Sequence, residues 1–274
     1  MTELLAHAKL NLALVVGERR ADGLHEVATV LQRLELADRL TLERGDGLAV
    51  EGFREDTLVG SALVRLAEAA GVEPRWRVRI DKRIPVAAGL GGGSADAGVV
   101  LAAANEGLRA PLPPERLRPL ATGLGADVPF FLTRGPQLAV GAGETLAALQ
   151  LPQDYAVVLG LAHGAEKPST AEVYRRFDEL GGGPGFAERR DALLRVLATA
   201  REPRDLAGLP PNDLAPAAGP APLVGELRAA GAFRADVSGA GPAVYGLFET
   251  VAEAEAAALA LGPGADVWVT RPVW

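Results

Sequence analysis

The first part of the chain alternates polar and apolar residues, and this pattern predicts a β-strand from Lys9 to Val16. A period of two places Lys9 and Asn11 on one face of the strand, and the leucine that follows each of them on the other. The strand therefore presents a cation and an amide side by side.

Similar patterns predict the elements of the first half of the chain. They are strands at Val27–Leu36, Arg39–Leu42, Trp76–Ile80 and Gln137–Val140, a helix at Asp56–Ala70, a helix that begins after Ser94, and a short helix from Pro114. A glycine directly after the first of these helices supplies a stop signal.

The second half of the chain mixes helices and strands in a different order. The predicted elements are a strand at Tyr155–Leu161, helices at Thr170–Leu180, Phe186–Ala200 and Pro222–Ala230, and then strand, strand, helix and strand. This order is typical of an α+β domain of the split βαβ type. We therefore predict an α+β protein with two domains, at residues 1–151 and 152–274.

Length, charge and composition limit the class of protein. The chain has 274 residues, with 28 basic and 35 acidic side chains and a net charge of −7, so electrostatics gives no reason to expect nucleic-acid binding. It has no cysteine, which excludes disulfides and thiolate metal sites. The first residues lack the pattern of a secretory signal, and no apolar run has membrane-spanning length. We expect a cytoplasmic enzyme with no membrane partner.

Residues 85–97 read PVAAGLGGGSADA and place four glycines in the five residues before Ser94. Glycine lets the backbone turn with positive φ and lets other atoms approach the main chain closely. The helix that follows offers unpaired N–H groups and the positive end of its dipole. The segment predicts a loop that binds the phosphates of a nucleotide, and the alternative is a turn that serves packing alone.

Two familiar glycine-rich loops do not fit this segment. The P-loop requires a lysine directly after its last glycine, but no lysine lies between Lys82 and Lys167. The dinucleotide fingerprint, counted from Gly89 and Gly91, requires a glycine at the position of Ser94. A different class of nucleotide-binding loop is indicated.

Three segments together resemble the motifs of a known family. They are AKLNL at residues 8–12, the glycine-rich segment, and SGAGP at residues 238–242. These resemble the three motifs of the GHMP kinases, which include galactokinase, homoserine kinase, mevalonate kinase and phosphomevalonate kinase. The segments RADGLH at 20–25, LGADVP at 124–129 and NDL at 212–214 are similar to those of the 4-diphosphocytidyl-2-C-methyl-D-erythritol kinases. The resemblance implies the two-domain GHMP kinase fold, with a ribosomal-protein-like first domain and a ferredoxin-like second domain.

The resemblance also implies catalytic roles. Asp127 would take the proton from the acceptor hydroxyl, and Lys9 would lie beside it. A neighbouring cation lowers the pKa of a carboxyl group and so keeps a general base ionised at neutral pH. From the residues alone, Asp127 is more typical of a turn residue and Lys9 of an exposed strand cation. The nucleotide would bind to Pro85, Val86, Ala87, Ala88, Gly89, Leu90, Gly91, Gly92, Gly93, Ser94 and Ala95.

Recognition of the acceptor follows from the same resemblance. Asn11 and His25 would contact its cytidine end, and the ring of Tyr174 would stack on the cytosine. From helical spacing alone, Tyr174 could instead pack in the core with its apolar neighbours. The chain departs from its relatives at Leu24, where a tyrosine is usual, and this leaves the base with one aromatic partner.

The implied substrates are ATP, with Mg²⁺ held mainly by phosphates and water, and 4-diphosphocytidyl-2-C-methyl-D-erythritol, which would be phosphorylated on its 2-hydroxyl for isoprenoid biosynthesis. No metal site in the protein itself is predicted.

Three alternative functions are a kinase of another small alcohol such as homoserine or a mevalonate derivative, a non-catalytic binding protein, and an RNA-binding protein. The segments at 22–25 and 126–129 argue against a kinase of another alcohol. The presence of Lys9 and Asp127 argues against a non-catalytic protein, and the net negative charge argues against RNA binding.

Overall fold

The structure is a computed structural model that describes residues 1–165 and 168–274, so Lys167 lies outside the described residues. The chain forms two compact units. The first comprises Met1–Ala8, Leu36–Val86 and Gly91–Arg134, and the second comprises Lys9–Glu35, Ala87–Leu90 and Gly135–Trp274. Both units are assembled from separate stretches of chain, and the division into domains at residues 151–152 stays a prediction.

Eleven strands lie in the described ranges. In chain order they are β1 Thr2–Arg19, β2 His25–Arg44, β3 Ala49–Glu51, β4 Trp76–Asp81, β5 Gln137–Gly141, β6 Thr145–Ala148, β7 Ala156–Ala162, β8 Arg234–Val237, β9 Val244–Phe248, β10 Ala265–Thr270 and β11 Pro272–Val273.

Eight α-helices lie in the same described ranges. They are α1 Leu58–Ala70, α2 Gly92–Glu106, α3 Pro114–Thr122, α4 Thr170–Glu179, α5 Phe186–Thr199, α6 Ala215–Ala218, α7 Pro222–Ala229 and α8 Val251–Ala260. Short 3₁₀ helices occur at Val128–Leu132, Pro203–Gly208 and Gly262–Gly264. Of all the helices in the part of the chain that the structure describes, none is long and apolar enough to span a bilayer.

The first unit combines a sheet with packed helices. Within it, β4 pairs antiparallel with the end of β2 and parallel with β3. Helix α2 packs against α1 and against the 3₁₀ helix Val128–Leu132. A Cβ atom added to Gly98 would lie 2.6 Å from Cβ of Phe131, so only glycine allows the backbones to approach this closely. This contact fixes the segment that follows Asp127 against α2.

The second unit contains two sets of paired strands. In the first, β5 pairs antiparallel with β2 over Val27–Leu31, β6 pairs with β5, and β11 pairs with β2. The second is an antiparallel sheet of order β10-β7-β9-β8, covered by α7 and α8. Buried aliphatic side chains between these helices and the sheet form its core. The chain order of these elements is that of a split βαβ domain, as predicted.

One predicted break in the strands is wrong. The structure has a single strand β2 where the sequence predicts two, and it passes through Asp38, which is fully buried. The carboxylate of Asp38 accepts hydrogen bonds from the backbone N–H of Arg83 at 2.6 Å and of Ile84 at 2.8 Å, and from the ammonium of Lys82. Because a buried acid with these partners is satisfied, it does not interrupt the strand.

The other predicted elements are present, with three changed bounds. β1 begins at Thr2 and not at Lys9, and it ends at Arg19 and not at Val16. Helix α2 begins at Gly92, inside the glycine run and not after Ser94. The remaining predicted helices and strands agree with the structure to within two residues at the bounds given. The short strands β3, β6 and β11 were not predicted, since two to four residues carry too little periodicity.

Candidate active site

The three motif segments are joined by backbone hydrogen bonds within the second unit. The N–H of Lys9 on β1 donates to the carbonyl of Leu90 at 2.9 Å, which ties the first motif to the glycine-rich segment. The N–H of Ala243, directly after the third motif, donates to the carbonyl of Ala88 at 3.0 Å. Residues 87–90 are therefore held on one side by β1 and on the other by the turn before β9.

Backbone approach in this region is unusually close. Gly89 has φ of +85°, and a Cβ atom there would lie 2.7 Å from the carbonyl oxygen of Ser238 and 2.8 Å from that of Gly241. Ala87 also has a positive φ, of 58°, which is uncommon for a residue with a side chain. Strain of this kind often occurs at functional sites, and here it lies within the predicted phosphate-binding segment.

Lys9 and Asn11 form the polar face that the strand pattern predicts. The ammonium of Lys9 donates to Oδ1 of Asn11 at 2.6 Å, and each residue is 5 % exposed. The Nδ2 group of Asn11 donates to the hydroxyl of Thr29 at 2.8 Å, and that hydroxyl donates to the carbonyl of Ala13 at 2.7 Å. The alternative of an exposed strand lysine is wrong, because the ammonium is enclosed in a buried polar network.

The third motif contributes to this network. The hydroxyl of Ser238, which is fully buried, accepts from the backbone N–H of Asn11 and donates to the carbonyl of Gly89, both at 3.4 Å. A Cβ atom on Gly239 would lie 3.1 Å from Oδ1 of Asn11 and 3.5 Å from Nζ of Lys9. The absence of a side chain at this glycine leaves space for the lysine and the amide.

The first unit holds the remainder of the glycine-rich segment. Gly91, with φ of +70°, is the N-cap of α2 and offers no side-chain cap. The next three residues, Gly92, Gly93 and Ser94, form the first turn, whose N–H groups have no acceptor within the helix. The predicted start after Ser94 is wrong because these glycines adopt helical backbone angles, and the shift places the free amides on the glycines themselves.

A buried cluster of charges lies under the first turns of α2. The ammonium of Lys82 bonds to Asp38 and, at 2.9 Å, to Oδ2 of Asp96, and both acids are at most 1 % exposed. Burial raises the pKa of Asp96 to about 7, against the opposing effect of Lys82. Burial alone would lower the pKa of Lys82, but its bonds to the two acids outweigh it and the pKa is raised. Asp96 is therefore a buried partner of Lys82.

His25 lies at the start of β2 in a partly aromatic setting. Its Nε2 is 2.7 Å from Oδ1 of Asp178 on α4, and the ring of Tyr174 is tilted by 32° against the imidazole at a centroid distance of 4.8 Å. Tyr174 is half-buried at the edge of an apolar cluster that includes Phe177. Leu24, directly before His25 in the chain, is 54 % exposed. The histidine and the tyrosine of the predicted acceptor site therefore touch each other.

The structure brings part of the predicted site together. Lys9, Asn11, His25, Tyr174 and residues 87–90 belong to the second unit, whereas Pro85, Val86, residues 91–95 and Asp127 belong to the first. Asp127 is half-buried directly before the 3₁₀ helix Val128–Leu132. The pairing of Lys9 with Asp127 stays a prediction.

Three residues of the site were not predicted. They are Thr29, which holds the amide of Asn11, Asp178, which bonds to His25, and Lys82, which bonds to Asp96. The one useful sign in the sequence is a threonine inside the otherwise apolar run of β2. Nothing local marks Asp178, which lies 153 positions from its partner.

Comparison with known proteins shows the family. Residues 57–135 match the family model of the GHMP kinases N terminal domain, and residues 220–264 match that of the GHMP kinases C terminal region. The 4-diphosphocytidyl-2-C-methyl-D-erythritol kinase of Gloeobacter violaceus is 39% identical over 98% of this chain and 93% of its own. The chain belongs to the GHMP kinase family, in the 4-diphosphocytidyl-2-C-methyl-D-erythritol kinase branch. A kinase of the same name from Pelotomaculum thermopropionicum is 42% identical over 89% of this chain and 88% of its own.

Solved structures of the family match the whole chain. A crystal structure of 4-(cytidine 5'-diphospho)-2C-methyl-D-erythritol kinase has a TM-score of 0.82 and 37% identity and covers 100% of both chains. The Methanococcus jannaschii mevalonate kinase has a TM-score of 0.75 at 12% identity over 100% of this chain and 98% of its own, a likeness of fold alone. The predictions of a two-domain GHMP kinase fold and of a small-molecule kinase are confirmed.

Proposed function

We propose that the chain transfers the γ-phosphoryl group of ATP to the 2-hydroxyl of 4-diphosphocytidyl-2-C-methyl-D-erythritol. The products are ADP and the acceptor carrying a 2-phosphate. The observation that carries the proposal is the bond between Lys9 and Leu90, which joins the predicted catalytic strand to the predicted phosphate-binding segment. The acceptor is chosen because the relatives that match nearly their full length carry its name.

The glycine-rich segment has the chemistry that a phosphate chain requires. The first turn of α2 offers amides with no helical acceptor and the positive end of the helix dipole. Glycines at 92 and 93 leave that turn bare, so phosphate oxygens can reach the backbone. These features support ATP as the phosphoryl donor.

Mg²⁺ would enter with the nucleotide, bound mostly by phosphate oxygens and water. Within residues 1–165 and 168–274, no group of three or more His, Asp or Glu side chains is placed to hold a metal ion. The hydroxyl of Ser94, in the first turn of α2, is the side chain of the segment that could add one oxygen ligand. The ion would neutralise charge on the phosphates during transfer.

The protein's part in the chemistry is positioning, proton removal and charge stabilisation. In the proposal, the carboxylate of Asp127 takes the proton of the acceptor hydroxyl as the new O–P bond forms and the bond to the leaving ADP breaks. The ammonium of Lys9 stabilises negative charge that develops on the transferred group. Lys9 suits this role because it is already desolvated and fixed by Asn11.

The acceptor's cytosine would stack on Tyr174 beside His25. Base–aromatic stacking contributes about 1–3 kcal/mol per base, and Leu24 offers no second ring. Asn11 bonds to Lys9 and Thr29, and one N–H and one lone pair of its amide remain for the cytidine end of the acceptor. The cytoplasmic location and the absence of a nucleic-acid partner stay predictions.

An acceptor panel tests the proposal. ADP release is followed with 4-diphosphocytidyl-2-C-methyl-D-erythritol, homoserine and phosphomevalonate at equal concentrations. We expect turnover with the cytidine compound at least about 10³-fold above the others, since a site built for a polar ring rejects molecules that leave its groups unpaired. Equal or greater turnover of homoserine or phosphomevalonate would replace the proposed acceptor.

A further inference from the structure

We propose that Thr29 is a positioning residue for phosphoryl transfer, which acts by fixing the side-chain amide of Asn11 so that its carbonyl oxygen faces the ammonium of Lys9. The inference rests on the proposed function in one respect, the participation of Lys9 in the reaction. Its structural content, the orientation of one buried amide, stands on three hydrogen bonds within the second unit.

The first step is the direction of the hydroxyl of Thr29. A threonine hydroxyl has one hydrogen to donate, and the carbonyl of Ala13, at 2.7 Å, can only accept. The hydrogen therefore points at Ala13. Towards Asn11 the hydroxyl presents a lone pair, so the atom of Asn11 that lies 2.8 Å away must be the donating Nδ2.

The second step follows from the two ends of the amide. Once Nδ2 bonds to Thr29, Oδ1 is directed at Nζ of Lys9, 2.6 Å away. The flipped amide would place its NH₂ group against the ammonium and its oxygen against a hydroxyl with no hydrogen left. Both bonds would be lost in a buried site, where unpaired polar groups are costly.

The third step is the rigidity of the support. Thr29 lies on β2 opposite Ala139 of β5, and it is 6 % exposed. A β-branched side chain on a strand has few accessible rotamers. The backbone of Gly239 lies close to the amide, since an added Cβ there would be 3.1 Å from Oδ1 of Asn11. The amide is therefore bonded at both ends, through Nδ2 to Thr29 and through Oδ1 to Lys9.

For the reaction, the fixed amide of Asn11 determines where the ammonium of Lys9 lies. Lys9 is enclosed, and Asn11 is a neutral acceptor that fixes its ammonium without neutralising it. Transition-state stabilisation requires preorganised hydrogen-bond donors and charges. A displacement of such a group by about 1 Å can lower the rate about 10²-fold. A hydroxyl that never touches the substrates would thus control the rate.

Thr29→Val and Thr29→Ser test the proposal as a matched pair. Valine keeps the shape and removes the hydroxyl, and serine keeps the hydroxyl. We expect valine to lower kcat about 10- to 100-fold with KM for ATP and for the acceptor changed by less than about threefold. Serine should retain kcat within about threefold. Equal kcat for wild type and valine, or equal losses for valine and serine, would overturn the proposal.

A double-mutant cycle isolates the amide. In Asn11→Asp both ends of the side chain are oxygens, so its orientation towards Lys9 no longer depends on Thr29. Adding Thr29→Val to Asn11→Asp should lower kcat by less than about threefold beyond Asn11→Asp alone. A further loss as large as that in the wild-type background would contradict a role through Asn11.

A spectroscopic measurement separates this inference from the proposed function. In ¹⁵N-labelled protein, the side-chain NH₂ of Asn11 should show slowed solvent exchange in wild type and Thr29→Ser, and fast exchange in Thr29→Val. If wild type fails to phosphorylate the cytidine acceptor, the proposed function falls and this measurement still decides the orientation. Exchange rates unaffected by valine would overturn the inference even in an active enzyme.

Discussion

Gly89→Ala probes the contact between the glycine-rich segment and the SGAGP turn. The added Cβ would lie 2.7 Å from the carbonyl oxygen of Ser238 and 2.8 Å from that of Gly241, and Gly89 has φ of +85°. The obstructing atoms are backbone oxygens of a buried turn, which cannot rotate away as a flexible side chain would. The substitution therefore combines a conformational cost with a steric one.

The magnitude follows from these two parts. A side chain at positive φ costs about 1–2 kcal/mol, and forcing backbone apart in a packed region costs about 1–3 kcal/mol. Alanine also lowers the conformational entropy of the unfolded chain, which offsets about 0.4–1 kcal/mol of this loss in stability. We expect a net loss of about 2–4 kcal/mol in the free energy of unfolding, measured by urea denaturation with the m-value as a check on two-state behaviour.

Gly71→Ala is the matched control. Gly71 ends α1 with φ of +67°, and a Cβ atom there has no neighbour within 4 Å. This variant carries the conformational cost alone, so we expect a loss of about 1 kcal/mol or less. If Gly89→Ala is no more destabilising than Gly71→Ala, the close approach of the two motifs is refuted.

Four further predictions concern the site and the charge cluster beside it. Asp127→Asn should lower kcat about 10²- to 10⁴-fold while ATP binding by calorimetry persists, and near-normal turnover would exclude Asp127 as the base. Gly92→Val, whose Cβ would lie 3.2 Å from both Ile84 and Lys82, should weaken ATP binding, whereas Gly60→Val on α1, whose Cβ would meet only Val50 at 3.9 Å, should not. Tyr174→Ala should weaken acceptor binding by about 1–3 kcal/mol and Tyr174→Phe should have little effect; early melting with normal acceptor binding would assign the ring to the core. Asp96 retains its proton to about pH 7 in the folded state, so its contribution to stability is present at low pH and is lost as the pH rises. The unfolding free energy of wild type relative to Asp96→Asn should fall by roughly 2–3 kcal/mol between pH 5 and pH 8, and a flat difference would contradict the shift.

Local periodicity was sufficient for most elements of the fold. The alternation around Lys9 and Asn11 predicts both the strand and their shared face, and the structure shows the two side chains bonded. The stop at Gly71 and the helix start at Pro114 follow from backbone preferences of single residues. Signals of this kind depend only on residues a few positions apart, so they can be recognised in the sequence alone.

Long-range partners could not be predicted in the same way. Asp38 looks like the end of a strand because its partner Lys82 lies 44 positions away. Thr29 could not be recognised as a partner of Asn11 because it lies on β2, 18 positions away, and the two side chains meet only when the strands pair. The interleaved composition of the two units has the same origin, since distant stretches of chain pack together in each.

Phosphorus NMR of the product tests the central claim most directly. The enzyme is incubated with ATP, Mg²⁺ and 4-diphosphocytidyl-2-C-methyl-D-erythritol, and the ³¹P spectrum is followed to completion. Phosphorylation of the 2-hydroxyl predicts that the two coupled diphosphate signals of the acceptor persist while one new phosphomonoester signal grows in step with ADP. ADP formation with only inorganic phosphate, or loss of the acceptor's diphosphate signals, would contradict the proposed reaction.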